Sequence, residues 1–110
     1  MKLLVNGGAM KVLKGILKEE QARLKEAQGS YEREIARLPK GSVQLKRIKE
    51  RDYAYRAYRK GERVVYEYVG DLKPEELKEL KQKVALRQRY EEKLREVRVN
   101  LKEMKRMIRD

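Results

Sequence analysis

At 110 residues the chain has room for one domain and little more. It contains no Cys, His, Phe or Trp, which removes disulfide frameworks, thiol nucleophiles, histidine acid–base chemistry and the usual zinc ligand sets. Thirty Lys and Arg against eighteen Asp and Glu give +12 at pH 7, a field that draws in nucleic acid, anionic membrane or an acidic partner without specifying a fold.

Charged residues make up 44% of the chain. Glu, Lys, Arg, Leu and Val dominate, a composition that fits long helices with narrow apolar seams. The lack of Thr and Cys beside plentiful Lys and Glu also resembles the composition of heat-adapted proteins. No apolar run approaches the roughly 20 residues that span a bilayer. Residues 1–8 read as a short lead-in, and Met1 to Val5 is too short for the apolar stretch of a secretory signal. The expected compartment is therefore the cytoplasm.

A first helical arm is expected over 9–38. Met10, Leu13, Leu17, Leu24, Ala27, Tyr31 and Leu38 follow an alternating three-four spacing, with Glu20 and Glu34 at the skipped positions. That is a coiled-coil register. Gly29-Ser30 should weaken or bend it, and Pro39 should end it. Strand character is confined to 42–70. Ser42 to Ile48, Tyr53 to Arg59 and Arg63 to Val69 are rich in Val, Ile and Tyr, separated by charged or glycine-containing breaks. They predict a three-stranded antiparallel meander.

The last arm is expected over 74–109, opening at Pro74 with Glu75 and Glu76 against the helix dipole. Leu77, Leu80 and Val84 set one seam, while Leu94, Val97, Leu101, Met104 and Ile108 set another, with a three-residue slip across Arg87 to Tyr90. The whole reads as one α+β domain: a long N-terminal helix, a β-meander and a long C-terminal helix, the arms forming an antiparallel coiled coil. Thin seams favour a homodimer that buries Leu13, Leu17, Leu24, Leu94, Val97, Leu101, Met104 and Ile108.

Gly41-Ser42, Tyr53 with Tyr55, Tyr58-Arg59, Gly61 and Tyr68-Val69-Gly70 together resemble the central pattern of a small bacterial and archaeal family known as a domain of unknown function. The likeness covers about thirty residues and implies a meander between charged helices. Glu50-Arg51-Asp52 and Glu62 stand where that pattern carries glycines. A looser likeness runs to the three-stranded N-terminal modules of mobile-element integrases, whose sheet face meets DNA. Neither resemblance implies a catalytic residue or a cofactor.

Catalysis finds little support. Glu75 with Glu79 and Glu92 with Glu96 are spaced for an acid or metal pair, but neighbouring lysines make each a solvated helix face. Asn6-Gly7-Gly8 lacks the spacing of a phosphate-cradling loop. No enzyme, metal site or cofactor is expected. The meander instead holds nine basic and four acidic residues between Lys40 and Gly70. Arg47, Arg51, Arg56, Tyr58, Arg59, Lys60 and Arg63 are the expected contacts with nucleic acid, DNA before RNA, since arginine forks suit phosphate and guanine edges and tyrosine stacks on bases.

Strand alternation sets Arg47 with Val43 and Leu45, and Arg56 with Tyr58, so the cations need not share one surface. Tyr53, Tyr55, Tyr66 and Tyr68 are expected to pack against the helices, because tyrosine is the only large aromatic available. Arg56, Arg59, Lys60 and Arg63 are expected to be exposed. Two other roles compete with nucleic-acid binding: a coiled-coil interaction module of adaptor or antitoxin type, and a basic amphipathic start (Met10 to Lys18) lying on a membrane surface.

Overall fold

Every expected element forms, in the expected order. The structure, a computed structural model, describes residues 7–109. Helix α1 spans Gly7–Arg37, strands β1, β2 and β3 span Ser42–Ile48, Arg51–Lys60 and Arg63–Tyr68, and helix α2 spans Pro74–Arg109. The strands make one antiparallel sheet in the order β1-β2-β3. The expected bounds move by at most two residues, at the starts of α1 and β2. Of the expected lead-in over 1–8, Gly7 and Gly8 belong to α1, and residues 1–6 lie outside the described residues.

The chain divides into two compact units. The arm unit combines the α1 residues up to Arg33 with the α2 residues from Glu92 onward. Its core is the predicted seam: Leu24, Leu94 and Val97 are buried, while Leu17, Tyr31, Leu101, Met104 and Ile108 are half-buried. Glu20, at a skipped seam position, is held by Arg23, whose Nε donates to Glu20 Oε2 at 2.9 Å. Between the helices, Arg98 Nη2 donates to Glu32 Oε1 at 3.4 Å. Gly29-Ser30 does not interrupt α1; Arg33 folds its guanidinium across the bare Gly29 backbone.

The sheet unit covers Glu34–Glu91. α1 stops before Pro39, and Arg87 Nη1 donates to the Leu38 carbonyl at 2.6 Å, satisfying one of the acceptors that a helix end leaves open. The same guanidinium donates to Glu91 Oε1 at 2.8 Å. At the apolar slip in α2, Arg87 is thus spent on holding the end of α1. Gln88 Nε2 then donates to the Gly41 carbonyl at 3.3 Å and fixes the chain as it enters β1.

Gly41 has φ +102°, and a Cβ there would collide with the Ala57 carbonyl oxygen of β2. Only glycine lets β1 start this close to its neighbour. The two hairpins are tight. Ile48 pairs with Arg51 across Lys49-Glu50, and both loop residues have positive φ, 48° and 69°, the backbone of a type I′ turn. Lys60 pairs with Arg63 across Gly61-Glu62, where the glycine at φ 66° takes the first loop position, as in a type II′ turn.

Candidate nucleic-acid interface

Hairpin register decides which side chains share a surface. The first hairpin sets Lys46 against Tyr53 and Gln44 against Tyr55. The second sets Tyr55 against Tyr68 and Ala57 against Tyr66. Because side chains alternate along a strand, Gln44, Lys46, Ile48, Arg51, Tyr53, Tyr55, Ala57, Arg59, Val64, Tyr66 and Tyr68 fall on one face, here the front. Val43, Leu45, Arg47, Asp52, Ala54, Arg56, Tyr58, Lys60, Arg63, Val65 and Glu67 fall on the back.

The back is covered and tied in part: Ala54 is buried and Val43, Arg56, Tyr58 and Val65 are half-buried, while Leu45 is 50% exposed. Val43 lines a cleft with Lys81 and Val84 of α2, and Leu45 and Ala54 line another with Leu72 and Leu77. Arg56 Nη2 meets Glu67 Oε2 across the strands at 2.9 Å, its side chain only 20% exposed. A second branch reaches the Lys40 carbonyl at 3.4 Å, and the guanidinium stacks 4.7 Å from the Tyr58 ring centre. Arg56 is thus internally engaged, contrary to the expectation that it stands exposed. Tyr58 also carries the Lys40 ammonium 5.3 Å from its ring centre.

The front is open. Ile48, Val64, Tyr66 and Tyr68 are 47%, 53%, 52% and 47% exposed. The expectation that all four strand tyrosines pack on helices therefore fails for Tyr66 and Tyr68. They are arranged among themselves instead: the Tyr68 ring lies 6.1 Å from Tyr53 and 5.5 Å from Tyr55, tilted by about half a right angle in each case, within the range of favourable aromatic pairs. Lys46 projects from β1 with its ammonium 5.3 Å from the Tyr55 ring centre and 4.8 Å from that of Tyr66, close enough for cation–π attraction to both. Crowding by its neighbours raises the Tyr68 hydroxyl above its usual pKa, and its hydrogen bond to Asp71 Oδ1 at 3.2 Å adds to this.

No strand position of the front carries a carboxylate, whereas Lys46, Arg51 and Arg59 all do carry positive charge there. Next to this face, Arg87, Gln88 and Glu91 of α2 bound an open groove of about 540 Å³ with Lys40, Gln44, Arg59 and Tyr66.

The seven expected contacts are therefore split. Arg51 and Arg59 lie on the front; Arg47, Arg56, Tyr58, Lys60 and Arg63 lie on the back. Lys46 and the four front tyrosines were not among them. Their signal was present in the sequence: Tyr-x-Tyr occurs in both strands flanking Gly61-Glu62, and a two-residue turn sets Tyr55 opposite Tyr68. Among the described residues, no group of three or more acidic side chains could hold a metal ion, and no helix is long and apolar enough to cross a membrane. Comparison with known proteins gives no matching family model, and no curated protein or solved structure matches the chain significantly.

Proposed function

We propose that the protein is a small, non-catalytic nucleic-acid-binding protein whose contact surface is the front of the sheet, with the arms pairing two copies. One observation carries the reading: four tyrosines share a face with Lys46, Arg51 and Arg59, and no strand position there carries an acid. A polyanion that also presents flat π surfaces matches both properties, since phosphates answer the cations and bases answer the rings. Arg51 to Arg59 along β2 covers about 27 Å at the usual strand rise. That is room for on the order of four nucleotides.

Dimerisation by the arms is supported by apolar side chains that remain exposed on α1: Met10, Val12, Leu13 and Ile16. Leu24, Leu94 and Val97 are buried, so the first three turns of α1 are where a second copy would seat. The same residues are the specific observation behind the second reading, a coiled-coil interaction module that recruits a different helix.

The test is binding to a labelled oligonucleotide as a function of salt. Replacing Lys46, Arg51 and Arg59 together by Ala should weaken binding and lower the log–log salt slope by about one per lost phosphate contact. Unchanged affinity and slope in the triple variant would remove the front as the contact surface. Leu13→Asp should dissociate the dimer in analytical ultracentrifugation and leave binding by each copy intact.

A further inference from the structure

Resting on that reading, we infer that the ligand is single-stranded nucleic acid, and that the groove at Tyr66 and Gln88 takes one unstacked base from the strand lying on the tyrosine face.

The groove holds what a base site needs. At about 540 Å³ it lies within the range of small-ligand sites, roughly 300–1,000 Å³. Tyr66 supplies a ring face that is already half exposed. Gln44 and Gln88 present side-chain amides, which offer both a donor and an acceptor to a base edge. Gln88 uses its NH₂ group toward the Gly41 carbonyl, an anchor that leaves the amide oxygen as the acceptor for a base edge. Arg59 and Lys40 supply positive charge for the flanking phosphates. The one acid in the lining, Glu91, is engaged by Arg87 at 2.8 Å, which mutes its repulsion of a phosphate.

The same geometry disfavours a duplex. In double-stranded nucleic acid the base faces are stacked on one another, so the exposed rings of Tyr66 and Tyr68 would meet only groove edges and backbone. A single strand offers its base faces freely. Lys46, seated between the rings of Tyr55 and Tyr66, can then meet a phosphate without leaving the aromatic surface.

Because the chain has seven tyrosines and no tryptophan, its own emission reports on ring stacking. The experiment titrates the full chain with oligo-dT and oligo-U 12-mers and with a DNA duplex of equal length. Fluorescence anisotropy of the labelled strand and quenching of tyrosine emission are followed together. The single strands should bind at least about tenfold more tightly than the duplex and quench the emission. Tyr66→Ala should weaken single-strand binding by about tenfold, Tyr66→Phe should retain it, and neither should change the salt slope. Gln88→Ala, at an exposed position, should weaken binding by a few-fold, with circular dichroism confirming the fold of each variant. Preference for dT over U, or the reverse, identifies which strand is the ligand, and either supports the inference. Duplex binding as tight as single-strand binding, with Tyr66→Ala neutral, would overturn the inference while leaving a phosphate-contacting surface in place. No binding to any of the three would overturn both.

Discussion

The two faces of one small sheet have opposite chemistry although they are woven from the same three strands. On the back, Arg56 is neutralised by Glu67, bonded to a backbone carbonyl and stacked on Tyr58, and Val43 lines a cleft with Val84 of α2. On the front, Lys46 and Arg59 have no carboxylate partner on their own face, and two tyrosines stand half in solvent. Arginine count alone says little about where an anion will bind. What matters is whether each guanidinium is already satisfied, because an ion pair inside the protein must be broken before a phosphate can replace it.

The largest effect should come from the residue on which both faces depend. Gly41→Ala places a Cβ against the Ala57 carbonyl oxygen at a φ that side chains rarely adopt. β1 must shift away from β2, and both faces lose their register. A loss on the order of 3 kcal/mol is expected in urea unfolding, with binding lost in parallel. A stable Gly41→Ala variant would mean that β1 seats without this close approach.

A sharper comparison sits three residues apart on β2. Arg56→Ala removes the Glu67 pair and leaves that carboxylate half-exposed, so stability should fall by about 1 kcal/mol while oligonucleotide affinity stays within twofold. Arg59→Ala should do the reverse, with little change in unfolding and a several-fold loss of affinity. If Arg56→Ala cost affinity and Arg59→Ala did not, the back would be the working face. A smaller effect is expected at the first hairpin, where Glu50 holds φ 69°. Glu50→Gly relieves a left-handed conformation that costs a non-glycine residue about 1 kcal/mol, so the midpoint of urea unfolding should rise modestly with affinity unchanged.

The order and nature of the elements were legible because each rests on local chemistry: Pro39 stops α1, Pro74 opens α2, Gly61 turns the second hairpin, and the three-four spacing marks the arms. The division of the cations between faces was only half legible. Alternation separated Arg47 from its neighbours correctly, but the partners of Arg56 lie eleven and sixteen residues away, and no local pattern announces them. Nor did the sequence indicate that Tyr66 and Tyr68 on the front stand half in solvent. That depends on which face α2 takes, and the apolar content of the two faces is similar. Tyrosine serves equally well as core or as surface, so Tyr66 and Tyr68 could be placed only once the register was fixed.

The smallest expected effect lies at Tyr68, and it tests the crowding of the front without any ligand. Its hydroxyl is raised by burial among its neighbours first, and then by donating to Asp71. A group whose pKa is higher in the folded protein than in the unfolded chain adds stability below the unfolded value, near 10 for tyrosine. That contribution is lost as pH rises through the folded value. Absorbance at 295 nm should therefore show an ionisation step above the ordinary tyrosine value as pH is raised, and Tyr68→Phe should remove that late step. Asp71→Asn withdraws the carboxylate charge but not the neighbouring rings, so it should move the step only part of the way down. A full return to the ordinary value would make the carboxylate, rather than the packing of Tyr53, Tyr55 and Tyr68, the dominant cause. The front would then be a looser platform than the ring distances imply.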